Sequence, residues 1–252
     1  MQIDLEEGMG GLAKGLAIVE CFDQRHQRLT VTEAATMTGQ TPAAARRSMR
    51  TLEAVGYLIY DGKFFRPTPR FARLAAAYTG ADPLPGLATP SLEKLRDEFG
   101  ESASIAVLDG DEVLFVARAE APHIVVTGQR VGGRMAAAHS AAGRVLMRDL
   151  DDHELRRVIE QGTHGPTTGK TLRGVAAITA EVRAAADRGY SITDEEVEIG
   201  LRAIAVPVAD STGQLVAAMS MSAPTPRADL TRMVEEFLPA LRHAAATLGR
   251  ML

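Results

Sequence analysis

Seven residues between positions 41 and 63 have the types and spacing to grip a polyanion. Thr41, Ala43, Arg46, Arg47, Arg50 and Thr51 fall within eleven positions, and Lys63 follows shortly after. Guanidinium groups donate in pairs to phosphate oxygens or to the O6/N7 edge of guanine, and a threonine hydroxyl donates singly. Alanine leaves room for a base edge to approach. That chemistry is the reading of double-stranded DNA, and it requires one helix face. Thr41 is a good N-cap and Pro42 a good first helical residue. At a period of 3.6, Ala45, Met49, Leu52 and Gly56 share an inward stripe. Arg47, Arg50, Ala43 and Ala54 fall opposite, with Arg46 and Thr51 on the flanks. A short helix ending at Gly39 precedes this one. After Gly56, residues 57–60, a turn at Asp61-Gly62 and residues 63–66 read as a hairpin with Lys63 at its tip. Helix, turn, helix and wing are the parts of a winged helix-turn-helix.

Other reactive-looking groups lead elsewhere. Residues 165–171, G-P-T-T-G-K-T, are like a phosphate-binding loop but have three residues between the glycines where four are needed, and residues 152–161 before them read as helix rather than strand. An exposed loop is the expectation. Asp194, Glu195 and Glu196 are expected in a solvated turn, a helix cap or a salt bridge. Six histidines lack metal-ligand spacing, and one cysteine cannot complete a thiolate site, so no metal or cofactor is implied. No G-x-S-x-G elbow is present, and His139 beside Ser140 is no catalytic arrangement. Cys21 is expected in the core of a helix over 12–22.

The 252 residues suffice for two ordinary domains. Net charge is −4, yet from Pro42 to Arg70 there are six basic residues against two acidic. The positive field is local, and an acidic remainder discourages indiscriminate adhesion to DNA. The N-terminus lacks a signal-peptide pattern and no apolar run is long enough to span a bilayer, so a cytoplasmic protein without membrane attachment is expected. Helices are expected over 71–78 and 87–99, separated by a Pro/Gly break at 80–86. Strands are expected over 102–108 and 112–118, joined by a hairpin with one extra residue at Asp109-Gly110-Asp111. A third strand is expected at 124–128. Helices follow over 140–148, 152–161 and 178–188, then strands over 190–193, 204–209 and 215–222, and a terminal helix over 229–252. Strands at both ends with helices between imply a mixed sheet backed by helices.

Four stretches carry a family resemblance: residues 11–22, residues 41–58, A-H-S-A-A-G-R-V-L at 138–146, and R-G-Y-S-I-T-D-E-E-V-E-I-G-L-R-A-I-A-V-P-V at 188–208. The chain resembles the IclR-type bacterial transcriptional regulators over residues 11 to 252. The resemblance implies an α+β protein in three parts. A winged helix-turn-helix spans 11–74, a linker helix region 75–100, and a mixed α/β, GAF- or profilin-like effector-binding domain 101–252. Y-D-G-K-F-F-R-P-T-P-R, D-P-L-P-G-L-A and G-E-S-A-S-I-A-V-L-D-G-D-E-V-L-F-V-A-R are similar to the subgroup that regulates aromatic-acid catabolism. This implies a small aromatic or dicarboxylic acid effector.

By position, the resemblance implies an effector pocket of Ala141, Ala142, Thr193, Leu201, Ala203, Ser220 and Ser222. An anion would sit at the start of the 140–148 helix, with Arg134 and His139 as possible counter-charges. Some family members carry cysteine where Ala203 stands, and the subgroup commonly has bulkier residues through 136–142. The alanines here imply a roomier pocket. A regulator of this kind is expected to bind a near-palindromic operator as a dimer or dimer of dimers, because one winged helix makes few phosphate contacts. Two alternatives are an enzyme acting on a small acid and a protein-docking use of the winged helix.

Overall fold

The structure is a computed structural model that describes residues 8–23, 26–122, 130–162 and 167–252. It divides into two compact units between Ala81 and Asp82. The region expected as a linker, 75–100, is thereby shared between them.

In the first unit α1 (Gly10–Glu20), α2 (Val31–Thr38) and α3 (Pro42–Ala54) pack around Ile18, Ala34, Ala45 and Met49. A reciprocal capping box starts α2: the Thr30 hydroxyl accepts the Glu33 N–H, and the Glu33 carboxylate accepts the Thr30 N–H at 2.7 Å. Gly39 ends α2 in the left-handed region at φ 64°, which frees the chain to turn into α3. β1 (Leu58–Tyr60) and β2 (Phe65–Pro67) form the wing, and Leu29 pairs with Phe65 alongside. The wing turn centres on Gly62-Lys63 rather than Asp61-Gly62. The Asp61 carboxylate accepts the N–H groups of Lys63 and Phe64 at 2.9 and 2.7 Å, folding the chain one residue later. These bonds, Phe64's first, hold the Asp61 carboxyl below its ordinary range. α4 (Phe71–Ala81) closes the unit.

The second unit opens with α5 (Leu84–Phe99). Only Asp82 and Pro83 separate it from α4, a shorter break than 80–86. Pro85 is tolerated in the first helical turn because its missing N–H would have no partner there. Six strands follow: β3 (Ser102–Asp109), β4 (Glu112–Ala119), β5 (Arg134–Ala136), β6 (Ser191–Asp194), β7 (Leu201–Ala209) and β8 (Leu215–Pro224). Their order is β5-β4-β3-β8-β7-β6. Every pairing is antiparallel, which corrects the mixed sheet expected from the order of elements. Hairpins join β3 to β4, β6 to β7 and β7 to β8, and the first and last of the six meet in the middle. The β3–β4 loop is two residues, not three, because Asp109 pairs with Glu112. The strand expected at 124–128 lies outside the described residues.

Side-chain alternation sorts the sheet into two faces. Ile105, Ile204, Met219 and Met221 pack with Leu92 of α5 and with Phe237 and Leu241. The last of these belongs to α10 (Leu238–Gly249), reached through α9 (Leu230–Arg232) and a π-helical stretch Met233–Phe237. Pro239 lacks the N–H that would close an α-turn onto Glu235, which accounts for the wider turn there. On the opposite face Ala106, Ala205 and Ala218 pack under α6 (Ala141–Leu146), α7 (Asp152–Gln161) and α8 (Val175–Arg188). Among the described residues no helix is long and apolar enough to cross a membrane.

Candidate DNA-contacting helix and effector pocket

On α3 the two faces separate as the helical period requires. Ala44, Ala45 and Met49 are buried, and Thr41, Ala43, Arg46, Arg47, Arg50, Thr51 and Ala54 are exposed. Their hydroxyls and guanidiniums are not equally available. The Thr41 hydroxyl caps the helix, accepting the Ala44 N–H at 3.3 Å. The Thr51 hydroxyl donates back to the Arg47 carbonyl at 2.9 Å. Arg50 leans onto the wing: its guanidinium lies 4.3 Å from the Tyr60 ring centre and donates to Glu53 at 2.7 Å. Lys63 is exposed at the wing tip, its ammonium 5.0 Å from the Phe64 ring centre. The four cations among the seven thus separate into Arg46 and Arg47 at the helix middle, without an ion-pair partner among the described residues, a braced Arg50 at the helix–wing corner, and Lys63 at the tip. Sequence reasoning missed Arg28. It is exposed and stacks on Phe64 at 4.5 Å because the Leu29–Phe65 bridge lays its segment along the wing. Nothing local in the sequence signals that pairing.

In the second unit a cavity opens between the start of α6 and the sheet. It is lined by Ala141, Ala142, Thr193, Leu201, Ala203, Ser220 and Ser222, which the resemblance named. Thr193, Ala203 and Ser222 are cross-strand neighbours on β6, β7 and β8, a row on one face. Phe115, Met135, Ser140 and Val197 complete the lining and were not named. Met135 was within reach of an alternation argument, since it neighbours Arg134 on one strand.

Arg134 and His139 do not line the cavity. Arg134 alternates away from Met135 and forms exposed ion pairs with Asp109 at 2.7 Å and Glu112 at 2.6 Å. His139 is packed inside the 3₁₀ turn Ala137–His139, with no hydrogen-bond partner for Nδ1 among the described atoms. Burial first, then the charge of Arg144, keeps its pKa below the usual histidine value. Neither is placed as a counter-charge.

At the expected anion site, the start of α6, the helix has only six residues and the Ser140 hydroxyl already accepts the Gly143 N–H at 2.9 Å. Among the described residues the cavity presents four hydroxyls (Ser140, Thr193, Ser220, Ser222) and no charged side chain. Ser222 is 2% exposed and its hydroxyl has no partner among the described atoms. An orphaned buried hydroxyl costs about 1–3 kcal/mol unless something meets it.

Nor is the pocket roomy. About 20 Å³ is open to the centre of a water-sized sphere, room for one water. At Gly143 α6 packs directly on backbone, since a Cβ there would fall 2.1 Å from the Ala137 carbonyl oxygen. A wider groove of about 570 Å³ lies between α10 and β7, open to solvent and lined mostly by small residues such as Ala245 and Gly249.

The remaining reactive-looking groups are structural. Asp194 pairs with Arg202 and Glu195 with Lys170, both at 2.5 Å, while Glu196 is buried against Arg144 rather than solvated. Lys170 of the phosphate-loop-like stretch is thus engaged, and residues 163–166 lie outside the description. Cys21 is half-buried against the first core, its thiol donating to the Ala17 carbonyl. Burial raises its pKa. Among the described residues no group of three or more His, Cys, Asp and Glu side chains is placed to hold a metal.

Residues 11–62 match the IclR helix-turn-helix domain and residues 76–250 the bacterial transcriptional regulator IclR C-terminal domain. The Pca regulon regulatory protein of Pseudomonas putida is 34% identical over 245 residues, 97% of this chain and 84% of that one. The p-hydroxybenzoate hydroxylase transcriptional activator of Acinetobacter baylyi is 34% identical over 256 residues, 100% of this chain and 94% of the relative. Among solved structures, a double mutant of the PobR transcription factor inducer-binding domain from Acinetobacter, complexed with 3-hydroxybenzoic acid, superposes with a TM-score of 0.62. It is 29% identical, over 67% of this chain and 98% of that one. The chain belongs to the IclR family of DNA-binding bacterial transcriptional regulators and is not an enzyme.

Proposed function

We propose that this regulator senses a small aromatic carboxylic acid in the α6–sheet cavity and controls catabolic genes through its winged helix. The observation that carries the effector reading is the orphaned, buried Ser222 hydroxyl in a lining that pairs apolar faces with hydroxyls. Phe115, Met135, Val197 and Leu201 offer faces for a ring, while Ser140, Thr193, Ser220 and Ser222 offer donors for a carboxylate or phenol. The 34% identity to regulators named for the Pca regulon and for p-hydroxybenzoate hydroxylase, and the hydroxybenzoate in the inducer domain that superposes on this unit, support the same chemical class. The contracted cavity must widen to admit a ring, so binding draws on a more open arrangement of its walls. An acid acts on DNA binding only through its differential affinity for the two arrangements. α5 is the element expected to carry the change.

DNA contact is assigned to Arg46, Arg47 and Arg50 on α3, flanked by Thr41, Ala43 and Thr51, and to Lys63 on the wing. Two copies reading two half-sites is the expected assembly, as a dimer or dimer of dimers. Met9 at the N-cap of α1 and Leu12 and Leu16 on α1 lie at helical spacing, as do Leu74 and Tyr78 on α4; all five are exposed large hydrophobics. Rows of that kind favour a second copy as cover. Fluorescence anisotropy with the upstream intergenic DNA, with and without a panel of hydroxybenzoates, tests the whole reading. Operator binding that one acid modulates is expected. Binding that ignores every acid while calorimetry also detects none would sink the effector assignment.

A further inference from the structure

We infer that the buried Arg144–Glu196 pair is a positioning device that holds two walls of the effector cavity in register and so sets its affinity. This rests on the cavity being the effector site. Arg144 is 0% exposed. Its two terminal nitrogens donate to the two Glu196 carboxylate oxygens at 2.9 and 2.6 Å, and its Nε donates to the Ala138 carbonyl at 3.1 Å. Glu196 also accepts the Leu172 N–H at 3.1 Å, and its own carbonyl accepts the Thr171 hydroxyl. One ion pair therefore ties together the 3₁₀ turn Ala137–His139, α6, the strap at 168–172 and the β6–β7 connection. Two of those segments are cavity walls: Ser140, Ala141 and Ala142 on one side, Val197 on the other.

Stability alone is a poor account of such a pair. Taking both ions out of water carries a large desolvation cost, and apolar residues of equal volume often fold as well or better. What the pair adds is direction. A planar guanidinium fork meets a carboxylate in one geometry, and here its Nε and the carboxylate's remaining capacity are also used. From the other side α6 is pressed against the Ala137 backbone at Gly143, where no side chain fits. Backbone contact and ion pair together fix where Ser140–Ala142 stand relative to Val197. Neither Arg144 nor Glu196 lines the cavity, so both act through the walls.

Two variants of the full chain test this. Arg144→Lys keeps the charge but loses the fork; Arg144→Met with Glu196→Leu removes both charges together, so no lone ion is left buried. Each is expected to unfold cooperatively. Affinity for 4-hydroxybenzoate by calorimetry should fall at least tenfold. In the ligand-free protein, amides of 137–143 and 195–200 should exchange with solvent at least tenfold faster, with α10 unchanged. Unaltered exchange in those two segments, or unaltered acid affinity in a folded variant, overturns the inference. If the wild type binds none of the hydroxybenzoates while both segments still loosen in the variants, the effector reading fails and the wall-holding role stands.

Discussion

The DNA-facing surface and the effector cavity solve opposite problems. On α3 the cations stand in water over a core of small residues and a methionine, and their partner is a polyanion felt at long range. In the cavity the polar groups are hydroxyls, buried and uncharged, and any partner must be met atom by atom. The first surface is tuned by charge and salt. The second is tuned by shape and by which hydroxyl is left without a partner. The difference shows where each kind of substitution should act.

The largest effect is expected on α3. Replacing Arg46 and Arg47 together by Ala removes two exposed guanidiniums that hold no hydrogen bond or ion pair among the described residues. At about 1–3 kcal/mol per base contact, operator affinity should drop roughly a hundredfold or more, with thermal stability little changed. If one arginine holds phosphate instead, the slope of log affinity against log salt should fall by about 1 for it. Equal operator affinity of mutant and wild type in an anisotropy titration would remove these residues from the interface.

Next comes Ser222→Ala, whose effects should run in opposite directions. Deleting a buried hydroxyl without a partner should leave stability unchanged or raise it by up to about 1 kcal/mol. Deleting a donor to a bound carboxylate costs about 1.5–3 kcal/mol, so acid affinity should fall tenfold or more. Calorimetry and thermal melts on one preparation separate the two. Loss of stability without loss of affinity would mean Ser222 only packs.

The two regions also differ in how much of each could be read from residue order. The α3 face was legible because a 3.6 period, a Thr-Pro start and three arginines leave few arrangements. Arg28 was not, since its place depends on a bridge between residues 29 and 65. In the cavity Thr193, Ala203 and Ser222 were named from family position alone, and their cross-strand row is a fact of the register. Phe115 and Val197 come from a neighbouring strand and from the β6–β7 connection, and their convergence is a tertiary fact. Arg134 and His139 misled because charge suggested a role while strand alternation and burial gave them others.

A smaller effect belongs to the wing tip. Lys63→Ala removes one exposed ammonium from a turn whose shape is set by Asp61 and Gly62 rather than by the lysine. Operator affinity should fall a few-fold at low salt, with the salt slope reduced by about 1. A drop as steep as that of Arg46 and Arg47 would place the wing, not α3, at the centre of recognition.

The smallest effect sharpens the contrast most. Arg134 was put to work, with His139, as a possible counter-charge, yet its guanidinium is spent on Asp109 and Glu112 in exposed ion pairs. Such pairs contribute about 0–1 kcal/mol. Arg134→Ala should therefore leave acid affinity within twofold of wild type and shift stability only slightly, since β5 keeps its backbone pairing with β4. A tenfold loss of affinity would mean that the side chain swings across the β5 edge when the cavity opens. The pocket would then be electrostatic after all, and its likeness to the α3 face closer than the hydroxyl lining indicates.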